Sequence, residues 1–251
     1  MNEQSSYVLI RFYEELNDFL VPWHRKITFK HVYKGQVSVK DLIESLGVPH
    51  TEIELILVNG EAVDFRYAVQ HEDQISVYPM FESMDVTGLS KLRPAPLKDI
   101  KFVVDIHLGK LAKYLRMLGF DVLYENNYFD AELAQIASNQ HRVLLTRDRG
   151  LLKRRIVEYG RFVRQTQPIK QLHEIIQWLD LKRLIKPFSR CMRCNGLLND
   201  VKKSEVEDCL LTKTKQYYTE FKQCQDCNAI YWKGTHYQRM QKLVSNVIDD
   251  A

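Results

Sequence analysis

The sequence has no apolar run approaching the roughly 20 residues a membrane span requires, and no apolar core ahead of a cleavage site near its N-terminus. It therefore reads as a cytoplasmic chain with no membrane partner. No Gly-x-Gly-x-x-Gly or Walker-type loop follows any strand-like run, which argues against a nucleotide cofactor. Cysteine is scarce, with five in 251 residues. Four of these fall into two Cys-x-x-Cys pairs, Cys191 with Cys194 and Cys224 with Cys227. Together they supply four soft ligands, the set that suits a closed tetrahedral Zn²⁺ site. Asn195 and Gly196 follow the first pair and Asn228 the second, residue types that tolerate the left-handed turn of a metal knuckle. Cys209 stands alone among Glu205, Glu207 and Asp208 and reads as an ordinary thiol.

Charge of one sign is missing from none of the chain, but it is unevenly spread. Residues 1–90 carry 7 Lys/Arg against 14 Asp/Glu, a net of −7. Residues 91–190 carry 20 against 10, a net of +10, and residues 191–251 carry 9 against 8. A basic body flanked by an acidic module suits a polyanion partner, nucleic acid first, although a solvated surface accounts for the charge equally well.

The N-terminal third reads as a small α+β unit. Tyr7–Phe12 and Ile27–Tyr33 are strand-like, and Ser38 is placed to cap a helix over Val39–Leu46 that ends at Gly47. Ile53–Val58 leads into Asn59-Gly60, a strong hairpin-turn signal, and Gln74–Pro79 closes the unit. This order resembles a ubiquitin-like β-grasp of the small sulfur-carrier branch. That branch ends in an activated Gly-Gly tail, whereas this unit runs into Met80-Phe81-Glu82-Ser83-Met84. The module, residues 1–84, is therefore read as a binding or scaffold domain, either contacting a protein partner or folding against the basic domain and masking it. Residues 85–98 hold a glycine and two prolines without a period and read as a linker.

Residues 99–187 alternate strands and helices. The strands are placed at 102–104, 121–124, 142–146 and 162–163, and the helices at 108–118, 130–138, 150–159 and 169–180. Repeated β-α units of this length predict an α/β domain, a parallel sheet with helices on both faces. Residues 188–251 then form a small zinc ribbon and tail.

Ligands of open parallel sheets bind at the carboxyl ends of strands, and Asp105 and Asp148 both stand there. A carboxylate cluster offers hard oxygens for Mg²⁺ or Mn²⁺, which acidify a water and neutralise a phosphodiester under attack. Asp130 and Glu132 are the candidates for a third carboxylate. Each acid has a plainer use: Asp130 as a helix N-cap, Glu132 against the helix dipole, Asp148 neutralising Arg147 and Arg149. Asp105 is the hardest to explain structurally, since Val103-Val104-Asp105 leaves a charge near the core. Lys110, Lys113 and Arg116 recur every three residues along one helix, and Arg147 and Arg149 flank Asp148, so all five are read as seats for a phosphate backbone. His107 is read as a turn residue within reach of substrate, and Trp232, His236 and Tyr237 either stack on bases or pack the ribbon.

Three segments carry a resemblance. Phe102–Asp105, Gly109–Asp121 and Arg142–Arg149 are similar to the PIN-like RNase domain of the mutator-seven C-terminal type. The likeness continues through Ser189–Leu198 and Cys224–Cys227 to Tyr231-Trp232-x-Gly234-Thr235-His236, with Met192 where proline is common and Thr235 where serine is usual. The resemblance implies a PIN-like fold preceded by a β-grasp domain and followed by a zinc ribbon, and a metal-dependent ribonuclease acting on RNA. It also implies that Asp105, Asp148 and Asp130 are the catalytic acids. The rival reading is a non-catalytic RNA-binding or ribosome-associated adaptor.

Overall fold

The computed structural model describes residues 6–80, 90–92 and 99–250. The stretch 81–84 read as lacking a Gly-Gly tail, and the linker at 85–98 apart from 90–92, lie outside these residues. The N-terminal elements are β1 (Ser6–Phe12), β2 (Phe29–Tyr33), α1 (Val39–Ser45), β3 (Ile53–Val58), β4 (Glu61–Ala62) and β5 (Gln74–Pro79). Next come β6 (Lys101–Val104), α2 (Gly109–Met117), β7 (Asp121–Leu123), α3 (Asp130–Asn139), β8 (Val143–Thr146), α4 (Arg149–Leu152), β9 (Gly160–Phe162) and α5 (Pro168–Trp178). The C-terminal elements are β10 (Leu198–Val201), α6 (Lys203–Val206), α7 (Thr212–Tyr217), β11 (Phe221–Cys224), β12 (Ile230–Trp232) and α8 (Thr235–Asp250).

These elements divide into two compact units, Met1–Asp99 with Phe129–Phe162, and Ile100–Tyr128 with Val163–Ala251. The first contains the β-grasp sheet, in the order β2-β1-β5-β3-β4, with the first and last long strands parallel at its centre. Alternation along β1 buries Val8, Ile10 and Phe12 against Leu42 and Ile43 of α1 in one core cluster. The Ser38 side chain accepts from the Asp41 amide at 3.1 Å, and Asn59 and Gly60 take the left-handed φ of 52° and 88° between paired Val58 and Glu61. Each local signal in this module produced the element it pointed to.

The first unit also contains α3, β8, α4 and β9, with β8 and β9 in parallel register from Leu144 opposite Gly160. The long helix expected over 150–159 is shortened to the single turn of α4. Among residues 153–159 only Val157 is buried, so the Lys153-Arg154-Arg155 run has no apolar face to set against a core. The Lys153 amide instead folds back on the Arg149 and Gly150 carbonyls, both at 3.2 Å. The strand expected at 162–163 begins earlier, at Gly160, where a Cβ would lie 2.6 Å from Leu152 Cδ2.

The acidic module folds directly onto this stretch. Glu52, with a side chain 0 % exposed, accepts from the Phe162 amide at 2.5 Å and sits 3.3 Å from the Arg161 guanidinium, which also reaches Glu15 at 3.2 Å. His50 Nε2 lies 2.8 Å from the Val157 carbonyl, and Lys153 Nζ donates to the Glu44 carbonyl at 2.6 Å. Removing one partner of a buried pair leaves the other charge stranded, at a cost of about 3–5 kcal/mol. Glu52→Ala is therefore expected to lose about that much in urea unfolding, and Glu15→Ala, whose own carboxylate is 28 % exposed, about 1 kcal/mol or less. Equal effects from the two variants would remove the assignment.

In the second unit β6 and β7 pair in parallel, from Lys101 opposite Asp121, and α2 covers them with Leu108, Leu111, Leu115 and Leu118 all buried. β10, β11 and β12 form a three-stranded antiparallel sheet in that order, and α8 follows it. The fold is thus α/β with parallel strands flanked by helices, preceded by a mixed-sheet module and ending in a cysteine cluster. Among the described residues no helix is long and apolar enough to cross a membrane.

Candidate functional site

The two knuckles are built by backbone first. Each Cys-x-x-Cys closes a tight turn: the Asn195 amide donates to the Cys191 carbonyl at 2.9 Å and the Asn228 amide to Cys224 at 3.1 Å. Asn195 and Asn228 take φ of 77° and 56°, the left-handed conformation their residue type tolerates. Gly196 is required for space, because a Cβ there would fall 2.8 Å from Cys224 Sγ and closer still to Asp226.

These turns aim four sulfurs at one point. Among the described residues, Cys191, Cys194, Cys224 and Cys227 are the group of three or more metal-ligating side chains whose donor atoms lie within 4.8 Å of one another. Cys191 and Cys227 are 3.6 Å apart at Sγ, and Cys194 and Cys224 are 3.3 Å apart. A tetrahedron with Zn–S bonds of about 2.3 Å has edges of about 3.8 Å, so the donor set fits zinc. Burial pushes the Cys194 thiol up to about 12 despite the Gly196 amide, and raises Cys227 as well. Burial also opposes the Cys191 thiolate, but the Tyr231 hydroxyl and the Cys194 and Arg193 amides donate to it and bring it down to about 7. Four thiolates this close coexist only around a cation.

The first knuckle is bolted to the parallel strands of its own unit. Asn195 accepts from the Val122 amide at 2.8 Å and donates to Asp121 Oδ1 at 2.9 Å, while Arg190 lies 3.6 Å from the same carboxylate. Arg116 completes the clamp: Nε donates to the Val122 carbonyl at 3.0 Å and Nη1 to the Arg193 carbonyl at 2.9 Å. Arg116 was expected to seat RNA beside Lys110 and Lys113, but it is 3 % exposed. The reason is rotational: a spacing of three falls about 60° short of a full turn, so two steps carry Arg116 about 120° round from Lys110 toward the buried side.

Asp105 ends β6 with 6 % exposure, so a charge does stand at the edge of the core as the sequence suggested. Asp148 stands two residues past β8, and its Oδ1 accepts from the Gly150 and Leu151 amides at 2.6 and 3.2 Å, which makes it the N-cap of α4. Asp130 was credited with a capping role that it does not take. The N-cap of α3 is Phe129, whose amide donates to Glu132 Oε2 at 2.9 Å, so Glu132 is engaged in capping and Asp130 is exposed in the first turn. Asp130 and Asp148 belong to one compact unit and Asp105 to the other.

Among the cations, Lys110 and Lys113 line an open cavity of roughly 870 Å³ in the second unit, together with His107 and Arg193. Arg147 and Arg149 have company in the first unit instead. The Arg149 guanidinium donates to the Phe19 carbonyl at 3.3 Å and stands 5.0 and 5.6 Å from the Phe19 and Phe162 ring centres. Arg147 lies 6.0 Å from the Phe162 ring. Arg149, read as a seat for RNA, is exposed and also meets the β-grasp module at Phe19. Nothing in the sequence pointed to Arg193; Asn195 was legible as a turn residue and Tyr231 as part of the resemblance, but not their contacts to Asp121, Val122 and Cys191.

The α/β framework thus carries aspartates beyond two of its strands, a cavity lined by cations and a cysteine-stapled ribbon. The family described as Mut7-C RNAse domain matches residues 100–244, over half of the chain, and the one described as Mut7-C ubiquitin matches residues 5–85. The chain belongs to the Mut7-C RNAse domain family and carries its ubiquitin-like module in front. A ribonuclease domain with an RNA substrate is what that membership entails. Neither a curated protein nor a solved structure matches the chain.

Proposed function

We propose that the protein is a cytoplasmic, metal-dependent ribonuclease, partitioned at residues 84, 98 and 187 into β-grasp module, linker, RNase domain and zinc ribbon. Asp105, Asp148 and Asp130 are the acids that hold Mg²⁺ or Mn²⁺. Their carboxylates are the hard donors such ions prefer, and the family match over residues 100–244 spans all three. When bound, such an ion supplies the acidified water and the charge neutralisation that phosphodiester hydrolysis requires. The chain's own residues do the rest. Asp105, nearly buried directly after β6, offers one of the carboxylates. Lys110, Lys113 and Arg147 draw the phosphate backbone toward acids that would otherwise repel it, while Arg116 and Arg149 brace the frame.

The observation that carries this reading is a nearly buried aspartate at a strand end, followed immediately by a cavity lined with lysines. Its test is RNA incubated with zinc-loaded protein and Mn²⁺, for wild type and Asp105→Asn. Because the variant leaves the cysteines intact, it separates catalysis from the ribbon. Loss of a group that merely supports a metal ligand costs 10–100-fold, so loss of a ligand is expected to cost at least about 100-fold. Salt-dependent RNA binding without cleavage, the same in both proteins, would favour the adaptor instead.

A further inference from the structure

A second cavity, of about 310 Å³, opens on the ribbon where β11 and β12 meet the start of α8. Its walls are aromatic: Phe188, Phe221, Tyr231, Trp232 and Tyr237. Trp232 leaves 38 % of its surface exposed. Phe188 and Tyr237 are set 4.6 Å apart at their centres and tilted by 43°, forming the opposite wall. The polar groups at the rim are already paired, Lys233 with Glu220 at 2.5 Å and Lys222 with Asp200 at 3.7 Å, so the cavity offers ring faces and little net charge.

This aromatic cavity is a neighbour of the cationic one. Met192 and Tyr231 line both, so the knuckle forms a shared wall between them. On the cationic side stand His107, Lys110, Lys113 and Arg193, with Glu125 the opposing carboxylate and Arg116 turned into the protein. Both volumes fall within the roughly 300–1,000 Å³ of sites that take small ligands or parts of larger ones. A cationic trough beside an uncharged aromatic slot complements a polymer whose charge and whose flat rings lie on opposite sides of its chain. Duplexes present only the first, because their bases are stacked inside. Unpaired strands present both.

We infer that the ribbon is a single-strand reader: the phosphate backbone of an unpaired RNA segment lies along Lys110, Lys113 and Arg193, and a splayed base inserts beside Trp232. This rests on the ribonuclease reading and adds to it a base-stacking site on the ribbon, which assigns Trp232 and Arg193 to substrate binding. Base stacking on an aromatic side chain contributes about 1–3 kcal/mol, or roughly 5- to 150-fold in affinity. The slot is sequence-tolerant, since every base has a ring face.

The experiment measures anisotropy of labelled RNA with the full, zinc-loaded chain, without Mg²⁺ or Mn²⁺ so that nothing is cut. The ligands are a short single strand, the same strand with abasic positions, and its duplex. Wild type is expected to bind the single strand about tenfold or more tighter than either other ligand. Trp232→Ala is expected to abolish that preference, while Lys110→Ala with Lys113→Ala weakens all three and flattens the salt dependence. Equal binding of base-bearing and abasic strands, or tighter binding of duplex, overturns the inference. Should Trp232→Ala release its zinc, the wild-type comparison decides alone. Cleavage assayed separately with Mn²⁺ keeps the two readings apart: base-dependent binding without cleavage retains this inference and sinks the ribonuclease, and the converse does the reverse.

Discussion

Stripping zinc from the intact chain is expected to unfold the ribbon and leave the β-grasp module standing. The antiparallel sheet β10-β11-β12 has four, four and three residues, with partly exposed faces on β10 and β12. Such a sheet buries too little apolar surface to offset its chain entropy. Its organising centre is the set of four sulfurs, and structural zinc sites of this kind contribute an apparent 10–16 kcal/mol or so to folding. The loss should spread along the clamp, because Asn195, Arg116 and Arg190 tie the first knuckle to Asp121 and Val122. Hydrogen exchange after chelation is expected to lose protection over residues 188–234 and at the Val122 amide, with β1 and β3 unchanged. Cys194→Ser should reproduce this pattern. Retained protection in the ribbon would mean that the cysteines are packing residues.

Substitutions at Asp148 should separate two jobs that one side chain performs. Its Oδ1 caps α4 through the Gly150 and Leu151 amides, and in the proposed function its charge serves the metal. Asparagine caps a helix about as well as aspartate, whereas alanine costs about 0.5–2 kcal/mol. Asp148→Asn is accordingly expected to unfold at the wild-type denaturant concentration yet cut RNA at least about 100-fold more slowly. Asp148→Ala should lose both stability and activity. An active Asp148→Asn would reduce this residue to a cap, and the acid set would lose a member.

Local chemistry in the sequence foretold a good deal. Ser38, Asn59-Gly60, Asn195 and Asn228 each act within a few residues of themselves, and each produced the turn or cap its side chain favours. The leucine spacing of α2 likewise identified its buried face. What escaped were partners distant in sequence. Arg116 reaches carbonyls 76 and 77 residues away, and Arg149 one that is 130 residues away. No periodicity encodes a guanidinium's choice between a backbone carbonyl and a phosphate. The division of labour between Phe129, Asp130 and Glu132 was hidden for a smaller reason, a shift of one residue in where α3 begins. The end of α4 was missed because helical spacing was read through a cationic run that has nothing to bury.

The acidic module presents a related lesson. The net charge of −7 over residues 1–90 suggested either an external partner or a role in masking basic surface. Within its own compact unit the second is realised in part, as Glu52 and Glu15 hold Arg161 and the Glu44 carbonyl holds Lys153. Lys153 and Arg161 are thereby used for assembly, while Arg154 and Arg155 are exposed.

In the proposed function Asp105, Asp130 and Asp148 hold a hard cation distinct from the zinc of the ribbon. Manganese binding followed by paramagnetic resonance on zinc-loaded protein tests it most directly. Wild type is expected to bind Mn²⁺, and Asp105→Asn and Asp148→Asn to bind it far more weakly while keeping their full zinc content. Undiminished Mn²⁺ binding in both variants, with RNA still cut at the wild-type rate, would contradict the account.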